Sequence, residues 1–140
     1  MKIKQVEPEK FIELAKQKLK KYKEVSPPDW AKFAKTGSHT KFPPHDDDWW
    51  YTRAASIIRK LEINPYLGVS RLRTIYGGKK ERGHKPERFR KAGGSHIRKI
   101  LQQLESVGLV ETKKQGLKRG RFLTEEGKKF IGEVISEVKK

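Results

Sequence analysis

Residues 46–61, Asp-Asp-Asp-Trp-Trp-Tyr-Thr-Arg-Ala-Ala-Ser-Ile-Ile-Arg-Lys-Leu, constrain the fold more than any other stretch of the chain. From Trp50, the apolar positions Ala54, Ile57, Ile58 and Leu61 recur at the spacing that gathers side chains on one face of a 3.6-residue turn. An amphipathic helix with that face buried follows. Thr52, Ala55, Ser56 and Arg59 fall on the opposite face, with Arg53 and Lys60 on its edge, so polar and cationic groups are left for water or a partner. Asp46, Asp47 and Asp48 fall at the N-cap and first turn, where carboxylates accept orphan amide hydrogens and oppose the helix dipole. Trp30, Phe33, Trp49, Trp50 and Tyr51 concentrate aromatic area beside the same helix, and each ring buried there contributes about 2 to 3 kcal/mol.

The remaining segments supply what packs around it. Residues 7–22 carry Phe11, Leu14, Ala15, Leu19 and Tyr22 on one helical stripe, with Pro8 suited to the first turn and most lysines off the stripe. Ser26-Pro27-Pro28-Asp29 ends that pattern and starts a short second helix with Trp30, Phe33 and Ala34 inward. Residues 36–45, with Gly37, Pro43 and Pro44, read as an ordered surface loop. Past the break at Asn64-Pro65, residues 69–76 form a short helix with Val69, Leu72, Ile75 and Tyr76 inward and Arg71, Arg73 and Thr74 outward. Gly77-Gly78 ends it, and residues 79–93 show neither helical nor strand periodicity, which predicts a basic, glycine-bounded loop. Ser95 is placed to cap the next helix, with Ile97, Ile100, Leu101, Leu104 and Val107 inward and Arg98, Lys99, Gln102, Gln103 and Glu105 largely outward, up to a stop at Gly108. Residues 109–113 and 121–123 suit two short strands of a hairpin. Thr124 then caps a last helix with Phe130, Ile131, Val134, Ile135 and Val138 on one face.

The fold class expected is mainly α, about five helices around a central amphipathic helix plus a small β-hairpin. It makes a single domain over residues 1–140, with a winged-helix-like part at about 47–140 and an N-terminal helical extension at about 7–45. Three helices followed by a glycine-cornered hairpin is the order of a winged helix-turn-helix. One departure stands out: residues 77–93 replace the usual turn of about 3 to 4 residues.

Charge points to a partner. The net charge is +17 with a pI near 10.1, a field that favours a polyanion, nucleic acid first. Residues 71–99 hold 11 Lys and Arg against 2 Glu, more than half of that excess. Arg71, Arg73, Lys79, Lys80, Arg82, Lys85, Arg88, Arg90 and Lys91 can track a phosphate backbone and release condensed counterions, while Phe89 and His84 can stack on unpaired bases. The competing reading of such a run is a solvated loop. For Arg53, Arg59 and Arg98 it is an intramolecular ion pair or simple exposure.

Other classes lose ground. Apolar runs stay well short of the roughly 18 residues of a membrane span, and no signal-peptide core follows Met1, so a cytosolic protein is expected. Without cysteine there is no disulfide, thiol nucleophile or cysteine-based zinc site. His45 with the aspartates suggests a metal site, but three consecutive side chains diverge on a helix and capping suffices to explain them. His39, His84 and His96 are scattered, and no Ser-His-Asp order or phosphate-binding glycine loop occurs. No catalytic residue, metal or cofactor is expected. The abundance of Lys and Glu fits a heat-adapted source.

The strings Trp49-Trp50-Tyr51-Thr52-Arg53-Ala54-Ala55-Ser56, Ile75-Tyr76-Gly77-Gly78, Leu101-Gln102-Gln103-Leu104-Glu105 and Leu123-Thr124 resemble the archaeal and eukaryotic small-subunit ribosomal protein family nineteen-e. The resemblance runs from the first helix to the last. It implies a mostly helical domain in the head of the small subunit, bound to ribosomal RNA and to neighbouring small-subunit proteins, with a role in late subunit maturation and ribosomal RNA processing in the cytoplasm. By motif position it implies RNA contact or assembly roles for Arg53, Arg59 and Arg98, and it matches residues 79–93 to the family's basic loop. Free in solution, such a protein is expected to be a monomer. The competing function is a winged-helix DNA-binding regulator reading bases with the helix that follows Ser95.

Overall fold

The computed structural model describes residues 3–32, 36–37, 48–64, 67–83, 85–115 and 118–138. They are mainly α-helical: α1 (Pro8–Leu19), α2 (Trp49–Ile63), α3 (Val69–Ile75), α4 (Gly94–Ser106) and α5 (Glu125–Val138). Two antiparallel hairpins interrupt them, β1 (Gly78–Arg82) with β2 (Lys85–Arg90) and β3 (Val110–Gln115) with β4 (Lys118–Leu123).

The amphipathic stripe of α2 is the centre of the core. Trp50, Ala54, Ile57, Ile58 and Leu61 are buried as the periodicity predicts. Ala55, expected outward, is buried as well. Asp48 stands at the N-cap without making a cap bond. Its carboxylate accepts instead from Lys20 Nζ at 2.8 Å, a charge-assisted contact that ties the end of α1 to the start of α2. The expected roles of Asp46 and Asp47 lie outside the described residues.

Helix α1 buries Phe11, Ala15 and Leu19 and packs on α2 and α5, with Lys18 Nζ held 3.4 Å from Glu133 and 3.2 Å from Glu137 of α5. The expected second helix is a single 3-10 turn, Asp29–Lys32. So short a turn cannot bury both its aromatic residue and Ala31: Ala31 goes inside while Trp30 keeps 42% of its surface exposed, its ring edge-on to Trp50 at 5.8 Å. Phe33 and Ala34 fall outside the described residues.

Helices α2, α3 and α4 with the β3–β4 hairpin build the winged helix. Leu67, between α2 and α3, forms an isolated bridge with Arg121 of β4, its N–H donating at 3.3 Å and its carbonyl accepting at 2.8 Å, which adds a third chain to the wing. Helix α4 ends where expected: Leu109 N–H reaches Leu104 O and Gly108 N–H reaches Glu105 O, the paired bonds of a Schellman motif, with Gly108 at φ 84°. Its start differs, since Gly93 is the N-cap and Ser95 lies inside the first turn. Thr124 does cap α5, its Oγ1 accepting from Gly127 N–H at 3.1 Å.

Two residues read as outward on α4 hold the fold together. Buried Gln103 accepts from Trp50 Nε1 at 2.9 Å and donates to Ser26 O at 2.8 Å, a relay that joins α4, α2 and the chain after α1. Glu105 accepts from Thr112 Oγ1 and from Arg121 Nε, both at 2.7 Å, latching the wing to α4.

The largest departure is in the basic loop. Residues 78–90 form a hairpin in which Gly78 faces Arg90, Lys79 faces Phe89 and Lys80 faces Arg88, with an irregularity between Lys80 and Arg82. Alternation of apolar and polar residues marks a strand only when one face is buried. This ladder is held by its backbone, and its exposed residues include Arg88, Phe89 and Arg90, so there was no alternation to find.

Candidate nucleic-acid interface

A two-stranded hairpin is marginal alone, so its anchorage decides whether it presents a defined surface. The base of the arm is fixed at Ala92, which is fully buried. Its N–H donates to Arg73 O at 2.9 Å and its carbonyl accepts from Arg73 Nε at 2.7 Å. Gly37 bridges Ala92 on the other side, and Gly93 N–H donates to Thr36 O at 2.7 Å. Gly77 is required at the junction, because a Cβ there would collide with the Arg90 carbonyl and come within 2.7 Å of Phe89 Cζ. At the far end Gly83 turns the chain at φ 69°, a conformation that side chains disfavour.

Cations are spread along this arm and over the helices at its root. Lys79, Lys80, Arg82 and Lys85 belong to β1 and β2, while Arg88, Arg90 and Lys91 are exposed. Arg71 is exposed on α3 and Arg98 on α4. Arg73 and Arg98 converge over Gly94 in the first turn of α4, where an added Cβ would lie 3.3 Å from Arg73 Cδ and 3.8 Å from Arg98 Nη2. Arg73 is partly committed, since its Nε already serves Ala92.

Arg53 and Arg59 are not the freely outward groups that the helical wheel implied. The Arg53 guanidinium lies over the Tyr76 ring with its carbon 4.0 Å from the centroid, and the Tyr76 hydroxyl shares a 2.6 Å hydrogen bond with Ser56 Oγ. Burial pushes the Tyr76 phenol upward, opposed by the Ser56 bond and the charges of Arg53 and Arg59. Burial likewise depresses the Arg53 guanidinium, which marks the cost of keeping that charge away from water. His96 sits on the same side with its ring edge-on to Trp49 at 5.8 Å, and burial, reinforced by Arg53, lowers it to about 4. It is therefore neutral at pH 7.

Among the described residues, three buried side-chain nitrogens have no hydrogen-bond partner: Arg53 Nη1, Arg59 Nε and His96 Nε2. The ion pairs found among those residues join Lys10, Lys16, Lys18, Lys20, Arg121 and Lys129 to acids. Arg53, Arg59, Arg71, Arg73, Arg88, Arg90, Lys91 and Arg98 take part in none of them. Arg121 of the wing is thus ion-paired while those arginines of α2, α3, α4 and the arm are not; among the described residues unpaired lysines also lie elsewhere, Lys21, Lys23 and, on α5, Lys128 among them. Such a surface can bind phosphates, and among the described residues no group of three or more His, Asp and Glu is gathered to hold a metal.

The fold brings together most of the cations that composition singled out. Sequence reasoning missed Tyr76 as the stacking partner of Arg53, Ser56 as its anchor and His96 as a buried neighbour. The signal for the first two was the i, i+3 spacing of Arg53 and Ser56, which puts both on one face of α2. No spacing signal marked His96.

The family model for ribosomal protein S19e matches residues 2–140. The small ribosomal subunit protein eS19 of Aeropyrum pernix is 53% identical over 130 residues, 91% of this chain and 83% of that protein. The protein of the same name from Thermoplasma volcanium is 42% identical over 138 residues, 97% of this chain and 88% of its own length. That of Oryza sativa subsp. japonica is 36% identical over 136 residues, 97% of this chain and 91% of its own.

Proposed function

The chain belongs to the ribosomal protein S19e family, structural components of the ribosome rather than enzymes, and from that membership we propose that it binds ribosomal RNA as a constituent of the cytoplasmic small subunit. It acts as one RNA-binding domain, monomeric when free. It sits in the subunit head beside other small-subunit proteins and supports late assembly and ribosomal RNA maturation, roles taken over from the resemblance in its Tyr-Thr-Arg-Ala-Ala-Ser and Ile-Tyr-Gly-Gly strings.

The observation that supports RNA binding is the set of arginines, on the arm and on α2, α3 and α4, without ion-pair partners among the described residues. Arg88, Arg90 and Lys91 on the arm, Arg71 on α3, Arg73 and Arg98 over Gly94, and Arg53 and Arg59 on α2 are the contacting set, joined by Lys79, Lys80, Arg82 and Lys85 along the strands. The mechanism is phosphate neutralisation and recognition of folded RNA shape.

Arg88→Glu with Arg90→Glu tests it. Both side chains are exposed, so the helical circular dichroism should be unchanged. Binding to small-subunit ribosomal RNA should weaken, with the slope of log affinity against log salt shallower by about 1.5 to 2, because that slope scales with the number of phosphates neutralised. An unchanged slope removes the arm from the interface. Tighter binding to double-stranded DNA than to ribosomal RNA would favour the winged-helix regulator instead.

A further inference from the structure

Among the described residues, the large apolar side chains left exposed are Trp30, Ile75 and Phe89, and Phe89 is the most open at 52%. Trp30 leans on Trp50. Phe89 belongs neither to the core nor to the partly buried residues packed against it. Its Cζ end abuts the Gly77 backbone, where no side chain fits, so the ring is steadied at its tip and open elsewhere.

The surroundings decide what covers this ring. On β2 it lies between Arg88 and Arg90, whose side chains alternate to the ladder's other face, Lys79 is its register partner across the ladder, and Lys91, two residues on, is exposed. A protein partner would have to bury the ring and match those cations with acids. A nucleobase brings an apolar π face and its own phosphate together, which is the pairing this surface offers.

We propose that Phe89 is a stacking platform for one unpaired nucleobase of the bound RNA. The ring supplies a face on one side of the ladder and the cations along the arm hold the phosphates of the strand that passes it, so the arm reads single-stranded character rather than duplex. This rests on the RNA-binding function above.

The test uses the full chain with two probes, a single-stranded oligoadenylate of about 12 nucleotides and an RNA duplex of the same length. Phe89→Ala should weaken binding to the single strand by about five- to a hundredfold, with little change on the duplex and an unchanged salt slope. Phe89→Leu, which keeps apolar bulk against Gly77 but has no ring, should bind as weakly as Phe89→Ala, and Phe89→Trp should bind like the parent. Equal single-strand affinity for parent and Phe89→Ala overturns the proposal, as does an equal loss on both probes or full affinity in Phe89→Leu. Failure of Phe89→Ala to join subunits while its RNA affinity stays intact makes the patch a protein contact and overturns it too. If the parent protein binds neither probe nor ribosomal RNA, the RNA-binding function itself falls.

Discussion

Replacing Arg53 by Met separates the stability of the free protein from the RNA-binding role proposed for this residue. Met keeps an apolar stem against Tyr76 and removes the charge. The stacked guanidinium, 4.0 Å from the ring centroid, contributes about 1 kcal/mol of cation–π attraction, which is lost. Against that, the buried Nη1 has no partner, and an unsatisfied donor costs about 1 to 3 kcal/mol. The depressed guanidinium has the same origin. The free protein should therefore range from unchanged to about 2 kcal/mol more stable. Thermal denaturation followed by circular dichroism at pH 7 should show a rise of up to roughly 6 °C. RNA affinity should move the other way, by about tenfold or more, if the guanidinium meets a phosphate through charge-assisted hydrogen bonds. A loss of stability greater than about 1 kcal/mol would refute the reasoning, because Arg53 would then be a member of the scaffold.

Two further outcomes concern the scaffold. Gln103→Ala strands Trp50 Nε1–H and Ser26 O, each worth about 1 to 3 kcal/mol when left unpaired, so urea unfolding should show a loss of about 3 to 4 kcal/mol at constant m-value; a loss under about 1 kcal/mol would mean that water replaces the amide. His96 is held near 4 from an ordinary 6.5, so the unfolded chain takes up a proton that the folded one refuses: its contribution is complete above about pH 6.5 and falls as pH drops toward 4, by at most about 1.4 kcal/mol per unit. The parent minus His96→Phe difference in urea stability should follow that course, and a difference flat from pH 7 to 4 would refute it.

What the sequence disclosed follows from which signals survive in it. The stripes of α2, α4 and α5 were legible because each helix buries one face, and burial writes a 3.6-residue period. The Gly108 stop and the Thr124 cap were legible because both are local. Gln103 was misread since a buried amide looks outward by residue type, and only a partner 53 positions away, Trp50, makes its burial tolerable. Ile75 was misread in the opposite sense, an apolar residue at the end of a short helix that is left 37% exposed. The arm was hidden as a strand pair for lack of a buried face. Its charge was visible, because a count of Lys and Arg needs no geometry. Arg53 and Arg59 were read as outward, and their half-burial was not legible because it involves Tyr76, at the far end of another helix.

The pattern of satisfied and unsatisfied groups carries this further. Buried polar groups tying the scaffold are paired: Trp50 through Gln103 to Ser26, Thr112 and Arg121 to Glu105, Gly127 to Thr124. Strain from poor packing alone would scatter unpaired atoms through the molecule. Among the described residues they are instead confined to Arg53, Arg59 and His96, on α2 and α4 beside the end of α3. All three are nitrogens, and two belong to permanent cations. Local conflict of this kind, in a scaffold consistent elsewhere, is expected where a chain is shaped for a partner rather than for its isolated stability. The long arm between α3 and α4 carries further cations, and its anchorage at Ala92 joins the exposed ones of the hairpin to the partly buried Arg73 at its root. Loss of an arm charge should then alter mainly the salt dependence of binding, whereas loss of Arg53 should alter affinity and the stability of the free protein together.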